Sequence, residues 1–208
     1  MSTLKTTALR NPSSSTDNIV LNSNGTVVVG GVSSSGGGNT IQELLTRPCD
    51  GGTVTSANGT ITFPNVTAVQ NLTSTYEDIT GSSITYQPPS GTHTVIYRFQ
   101  FMCTRNDGDT IGHYRFDIGS NEVVYARHTI RAEDFQSRVV FTWPIKIGGS
   151  ADTNTGALAT WNSALTLKMR GRRYNGTYDQ KLHVTDNWDG AGTDMFSMPT
   201  ISITALGT

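Results

Sequence analysis

The densest grouping of side chains able to recognise a ligand is Arg170, Arg172, Arg173 and Tyr174, with Tyr178 just beyond an Asn175-Gly176 turn. Guanidinium groups fork onto carboxylates, and aromatic rings offer flat faces to sugars. With Trp188 downstream, the set Arg172, Arg173, Tyr174, Tyr178 and Trp188 is a candidate platform for a glycan or an anionic surface polysaccharide. The same spacing also suits an ordinary hairpin whose arginines pair with nearby acids. Both readings stand at the level of sequence.

Other groupings carry less chemistry. Asp107-Gly108-Asp109 with His113 has oxygen and nitrogen donors, but Asp-Gly is also a favoured hairpin turn pair. The stretch Asp186-Asn187-Trp188-Asp189-Gly190-Ala191-Gly192-Thr193-Asp194 is calcium-like in composition but lacks EF-hand spacing, and an oxygen cage needs about six ligands or more. No metal and no cofactor is expected. Glu133 and Asp134 are adjacent, so on a strand they point to opposite faces and cannot flank one scissile bond. His93, His113, His128 and His183 occur singly, without metal spacing or a Gly-x-Ser-x-Gly elbow, and the glycines at 36–38 precede no phosphate loop. These patterns speak against an enzyme.

The elements that would hold such residues divide the chain. Every Phe, Tyr and Trp lies at or after Phe63. The leader is built from Ser, Thr, Asn, Gly and small aliphatics, too little to bury a core alone. Residues 1–30 are read as an arm for attachment and trimerisation, with Leu4, Leu9, Ile19, Leu21, Val27 and Val29 as its apolar contacts. Within it, Ile19-Val20-Leu21, Asn24-Gly25 and Val27-Val28-Val29 give a hairpin signal. A lone hairpin is marginal in water and needs partners. Residues 31–60 are read as a Gly/Ser-rich linker with one short helical turn at Ile41 to Leu45, stopped by Pro48 and Gly51.

From Ile61 the pattern has period two. Val95, Tyr97, Phe99 and Phe101 share a face; so do Tyr114, Phe116 and Ile118. Val139, Phe141, Trp143, Ile145 and Ile147 form another run, followed by Leu165, Leu167 and Met169, and finally Ile201, Ile203 and Ala205. Glycine, Asn, Asp and Pro turns separate about eight or nine strands, which predicts an all-β fold: an antiparallel β-sandwich head over residues 61–208, jelly-roll-like, with an extended N-terminal β arm.

Bulk composition narrows the function. Charged residues make up 15% of the chain and the formal net charge is −1, so a general nucleic-acid binder is not expected. No apolar run is long enough to cross a bilayer, and the opening Met1-Ser2-Thr3-Leu4-Lys5 lacks the apolar region of an export signal. The expected site of synthesis and assembly is a cytoplasm. Cys49, in a turn, and Cys103, at the end of an apolar alternation, are read as unpaired and unreactive.

Several segments carry a resemblance. Met1-Ser2-Thr3-Leu4-Lys5-Thr6, Pro12-Ser13-Ser14 and the Ile19 to Val27 hairpin resemble virion structural proteins of marine tailed phages, cyanophages in particular. Thr80 to Gly91, Val95-Ile96-Tyr97-Arg98-Phe99 and the closing Pro199 to Thr204 are similar to the head domains of such proteins. The resemblance implies a homotrimeric virion protein, a capsid decoration, knob or fibre, anchored by its arm to other virion proteins with the β head outward. The alternative it leaves open is a tail-fibre tip or receptor-binding adhesin that attaches to host surface polysaccharide.

Overall fold

The computed structural model describes residues 8–9, 19–21, 27–29, 40–105, 110–132 and 136–207. It has two compact units, Met1–Gly38 and Asn39–Thr208. In the first, β1 (Ala8–Leu9), β2 (Ile19–Leu21) and β3 (Val27–Val29) form an antiparallel sheet in that order. Ile19 pairs with Val29 and Leu21 with Val27, so the hairpin forms one residue out of the register that a two-residue turn at Asn24-Gly25 sets, which places Leu21 opposite Val28. That turn, Leu4 and residues 31–39 of the linker lie outside the described residues.

The second unit is all β among its described residues. In chain order its strands are β4 (Thr40–Pro48), β5 (Thr53–Ser56), β6 (Gly59–Thr62), β7 (Gln70–Asn71), β8 (Glu77–Asp78) and β9 (Ile84–Tyr86). They continue with β10 (Thr92–Arg105), β11 (Thr110–Ile118), β12 (Asn121–Ala132), β13 (Gln136–Lys146), β14 (Leu165–Arg173) and β15 (Gln180–Leu182). Short β16 (Val184–Thr185) and β17 (Met195–Phe196) precede the final β18 (Thr200–Gly207). All strand pairings are antiparallel.

Two sheets make the sandwich. In one, β4, β18, β10 and β13 lie side by side, with β15 and β7 extending beyond the end of β18. In the other, β12, β11 and β14 are followed by β8 and β9, which share the outer edge of β14. Consecutive strands β10 to β13 thus fold over as a pair: β10 joins β13 in the first sheet while β11 joins β12 in the second.

The period-two pattern sets the core. Val95, Tyr97, Phe99 and Phe101 on β10, Tyr114 and Phe116 on β11, Leu167 and Met169 on β14, and Ile201 and Ile203 on β18 are buried, as their alternation predicts. Rings from opposite sheets interdigitate, Tyr97 against Phe116 at 4.8 Å and Phe101 against Tyr114 at 5.9 Å between centroids. The Tyr97 hydroxyl donates to the Ser82 carbonyl at 2.6 Å, so this buried polar tip is satisfied. Trp143 and Ile147 are only partly buried at the margin of this core. Gly119-Ser120 makes the tight β11–β12 turn, with Ile118 paired to Asn121 and Gly119 at φ +60°.

The sequence expectation fails at one element. Ile41 to Leu45 is not a helical turn but part of β4, paired with β18 around one bulge at Gln42, Leu45 opposite Ile203 and Leu44 opposite Thr204. Five residues cannot repay helix nucleation, whereas an edge position beside β18 satisfies the backbone at once. Leu45 is buried, and Glu43 accepts hydrogen bonds from the Tyr86 hydroxyl and the Ala57 N–H, both at 2.7 Å. The head therefore begins at Asn39, not at Ile61. Hairpin β5–β6, also assigned to the linker, belongs to the same unit.

Cys49 and Cys103 are both free and buried, and burial pushes each thiol up to about 12. Cys49 rests its Sγ 3.3 Å from the Gly81 carbonyl. Both behave as small hydrophobes, as expected.

Candidate functional site

The sequence-predicted platform falls on the outer face of the second sheet, where register decides which side chains meet. His113, Arg115 and Asp117 of β11 lie opposite Arg172, Arg170 and Lys168 of β14. Residues at these positions alternate with the buried Tyr114 and Phe116, so their side chains leave the core.

Most of the charge on this face is spent internally. Arg115 approaches Glu122 at 3.3 Å and Asp117 at 3.6 Å, the second too long for a hydrogen bond. Arg127 bonds Glu122 at 2.5 Å, while Lys168 and Arg170 both reach Asp78, at 2.9 and 3.1 Å. The hydrogen bond from Arg127 holds the Glu122 carboxyl below its ordinary value. Burial pushes the Asp117 carboxyl up, against the pull of Arg115 and Arg170. Arg173 turns aside to pair with Asp179.

Arg172 is different. Its Nη1 donates to the carbonyls of Arg173 (3.4 Å) and Tyr174 (3.2 Å), and its guanidinium lies 5.4 Å from the Tyr76 ring centroid. No carboxylate among the described residues pairs with it. Arg115 covers the same Tyr76 ring at 4.6 Å. Beside them Tyr174, 49% exposed, meets Tyr178 edge-on at 5.7 Å and His113 at 5.6 Å. Burial and then the Arg172 charge lower the His113 pKa, so this imidazole is neutral near pH 7.

Arg172, Tyr174 and Tyr178 are therefore brought together; Arg173 is at the edge, committed to Asp179. Trp188 is elsewhere. It stands 70% exposed on the connection between β16 and β17, and among the described residues no ring contact joins it to the tyrosines. That connection is tied to itself, with the Gly192 N–H on Asn187 Oδ1 at 2.7 Å and the Trp188 N–H on the Thr193 carbonyl at 3.1 Å.

Tyr76 and Arg115 were not singled out by sequence. Tyr76 sits in Thr73-Ser74-Thr75-Tyr76-Glu77, a polar context in which only the β14–β8 register places it over this face. A lone aromatic in a stretch rich in hydroxyl groups was the available signal.

Neither a protein-family model nor a curated protein matches this chain. The platform is thus characterised by its own chemistry: a half-buried Tyr76 clamped by two guanidinium groups, flanked by the exposed Tyr174 and the half-buried Tyr178. Such a surface can stack a flat ring and accept an anionic substituent at Arg172.

The remaining metal-like patterns do not converge. Among the described residues, no group of three or more His, Cys, Asp and Glu side chains is placed to hold a metal ion. Asp107, Asp109, Glu133 and Asp134 lie outside those residues. Asp186 accepts a hydrogen bond from the Thr104 hydroxyl.

Proposed function

We propose that this chain is a structural component of a phage particle, working as a homotrimer, with the Met1–Gly38 unit joining it to other virion proteins and the β head carried outward. The observation that carries this reading is the contrast between the two outer faces of the sandwich. The second sheet displays the ion-paired rows just described. The first displays rows almost free of charge: Ile41, Leu206 and Thr94; then Leu44, Thr204, Ile96 and Pro144; then Thr46, Ser202 and Thr142 around Arg98.

Ile41 and Leu44 are 60% and 58% exposed, and Val140 is also exposed on this sheet. Interface centres lose Asp, Glu and Lys and tolerate Arg. Along β4, β18, β10 and β13 the outward charged positions are Arg98, Arg138 and Lys146, with no carboxylate among them; beyond the end of β18, Lys181 pairs with Asp194 and Thr104 donates to Asp186. We assign this face to contact with further copies of the chain. The strand order β4-β18-β10-β13 against β14-β11-β12 supports a jelly-roll reading of the head, an architecture in which two Greek keys close over one core. The strands of the first unit, two or three residues each, are too short to stand without company.

Replacing Ile41 and Leu44 together by Asp tests the assignment. Because both side chains are exposed within one chain, the double variant should melt within about 2 °C of the parent, by the small effects typical of surface sites. Its mass in solution should fall to that of a single chain. An unchanged oligomer would move the interface away from this face.

A second reading, an adhesin or tail-fibre tip that grips host surface polysaccharide, is favoured by the Tyr76–Arg172–Tyr174–Tyr178 platform. It would occupy the opposite face and is compatible with the same assembly.

A further inference from the structure

A cleft on the head carries chemistry unlike that of the tyrosine–arginine platform. Hairpin β5–β6 leans over the segment following β9, leaving two adjoining cavities of about 500 and 300 Å³ that meet at Asn58 and Gln87, which line both. Each is within the range of about 300–1,000 Å³ usual for small-ligand sites. Neither is lined by any Asp, Glu, Lys or Arg. Hydroxyl and amide groups predominate: Thr60, Ser83, Thr85 and Thr160 among the first, Asn58, Gln87 and Asn162 among the second.

The walls are locked. Asn58 Nδ2 donates to the carbonyls of Gln87 (3.1 Å) and Pro88 (2.9 Å), which consumes both of its hydrogens. Gln87 Nε2 donates to the Asn162 carbonyl at 3.2 Å. These bonds fix the side chains while leaving the amide oxygens of Asn58 and Gln87 as free acceptors. Trp161 lines the smaller cavity, is 5% exposed, and rests edge-on against Tyr86 at 6.0 Å. Its indole N–H is buried without a hydrogen-bond partner. A buried indole donor normally finds one.

We propose that this cleft is a binding site for a neutral saccharide. The Asn58 and Gln87 oxygens supply acceptors held in place before binding, the threonine and serine hydroxyls serve as donor or acceptor, and the unpartnered Trp161 indole N–H, which has almost no accessible surface of its own, becomes a donor as the ring shifts on binding. A sugar hydroxyl both donates and accepts, so one polyol ring can satisfy all three kinds of group. A carboxylate, sulfate or phosphate would lose its hydration with no cation in the lining to replace it. A hydrocarbon would leave the indole N–H and the amide oxygens unpaired. The site is separate from the platform at Arg172 and does not rest on the assembly reading.

The test uses the full chain labelled with ¹⁵N. Its three tryptophans give three indole cross-peaks, with that of Trp161 identified by its loss in Trp161→Phe. Neutral gluco-, galacto-, manno- and N-acetylhexosamine oligosaccharides are titrated to about 10 mM, enough to detect a Kd near about 1 mM, alongside uronic-acid and sulfated counterparts. At least one neutral oligosaccharide is expected to shift the Trp161 peak in a saturable way while Trp188 stays still. Asn162→Ala, which retains the backbone carbonyl used by Gln87, is expected to weaken that titration at least threefold with the spectrum otherwise intact. No shift at Trp161 across the neutral panel overturns the proposal. Equal response to the acidic counterparts at Trp161 overturns the neutral selectivity, and a response confined to Trp188 overturns the location.

Discussion

A chain shortened to begin at Ile61 is expected to show no cooperative thermal transition, whereas one beginning at Asn39 melts as a unit. The shorter chain lacks β4, β5 and the first half of β6. Without β4, the backbone of β18 from Thr200 to Gly207 loses its outer partner along the whole strand. Leu45 and Cys49 leave the core, and the Tyr86 hydroxyl loses its acceptor on Glu43. Loss of one buried leucine side chain alone costs about 2–5 kcal/mol. Added to an exposed strand edge, this approaches the about 5–15 kcal/mol that a whole domain holds. Calorimetry on the two truncations decides the point. If the Ile61 chain melted within about 3 °C of the Asn39 chain, β4 would be an ornament and the head would begin where composition alone places it.

Acid is expected to weaken the head through His183. This residue joins β15 to β16 in the left-handed region, φ +65°, fully buried and edge-on to Phe101 at 6.1 Å. Burial, only partly offset by the Thr80 backbone, lowers its pKa to about 4. The unfolded imidazole, at about 6.5, binds a proton across a window in which the folded one does not. Stability from this group is therefore complete above pH 6.5 and is lost as the pH falls toward 4. The span corresponds to about 3 kcal/mol.

His128, lowered chiefly by burial between Tyr114 and Phe141, acts in the same direction. Asp117 and Asp186, raised chiefly by burial, act in the opposite one, since their stabilising contribution is present at low pH and fades as the pH rises. Urea melts from pH 7 to pH 4 should show the decline. His183→Asn keeps a residue tolerant of positive φ and should flatten it by more than half. An equally steep decline in that variant would assign the acid sensitivity to the other groups.

Much of this architecture was legible in the sequence because alternation is a local property. Tyr97, Phe116, Met169 and Ile203 announced their inward faces without knowledge of any partner. Ile41 to Leu45 did not, because a strand at a sheet edge has one buried face and one neighbour, and that neighbour, β18, lies at the far end of the chain. The platform was half visible for the same reason. Arg172, Tyr174 and Tyr178 are close in sequence, whereas Tyr76, Arg115 and His113 arrive through strand register. Trp188 shared only its composition with them. The neutral cleft gave no sequence signal at all: Asn58, Gln87 and Trp161 come from three separate connections and meet only after the hairpin folds over.

The central claim, that the chain acts in assembled form, is tested most directly by sedimentation equilibrium of the full chain at micromolar concentration. Three copies of the 22.4 kDa chain are expected, giving a species of about 67 kDa that persists on dilution through the nanomolar range. A single 22.4 kDa species at every concentration would contradict the assembly reading and leave the sparsely charged face of the first sheet without an occupant.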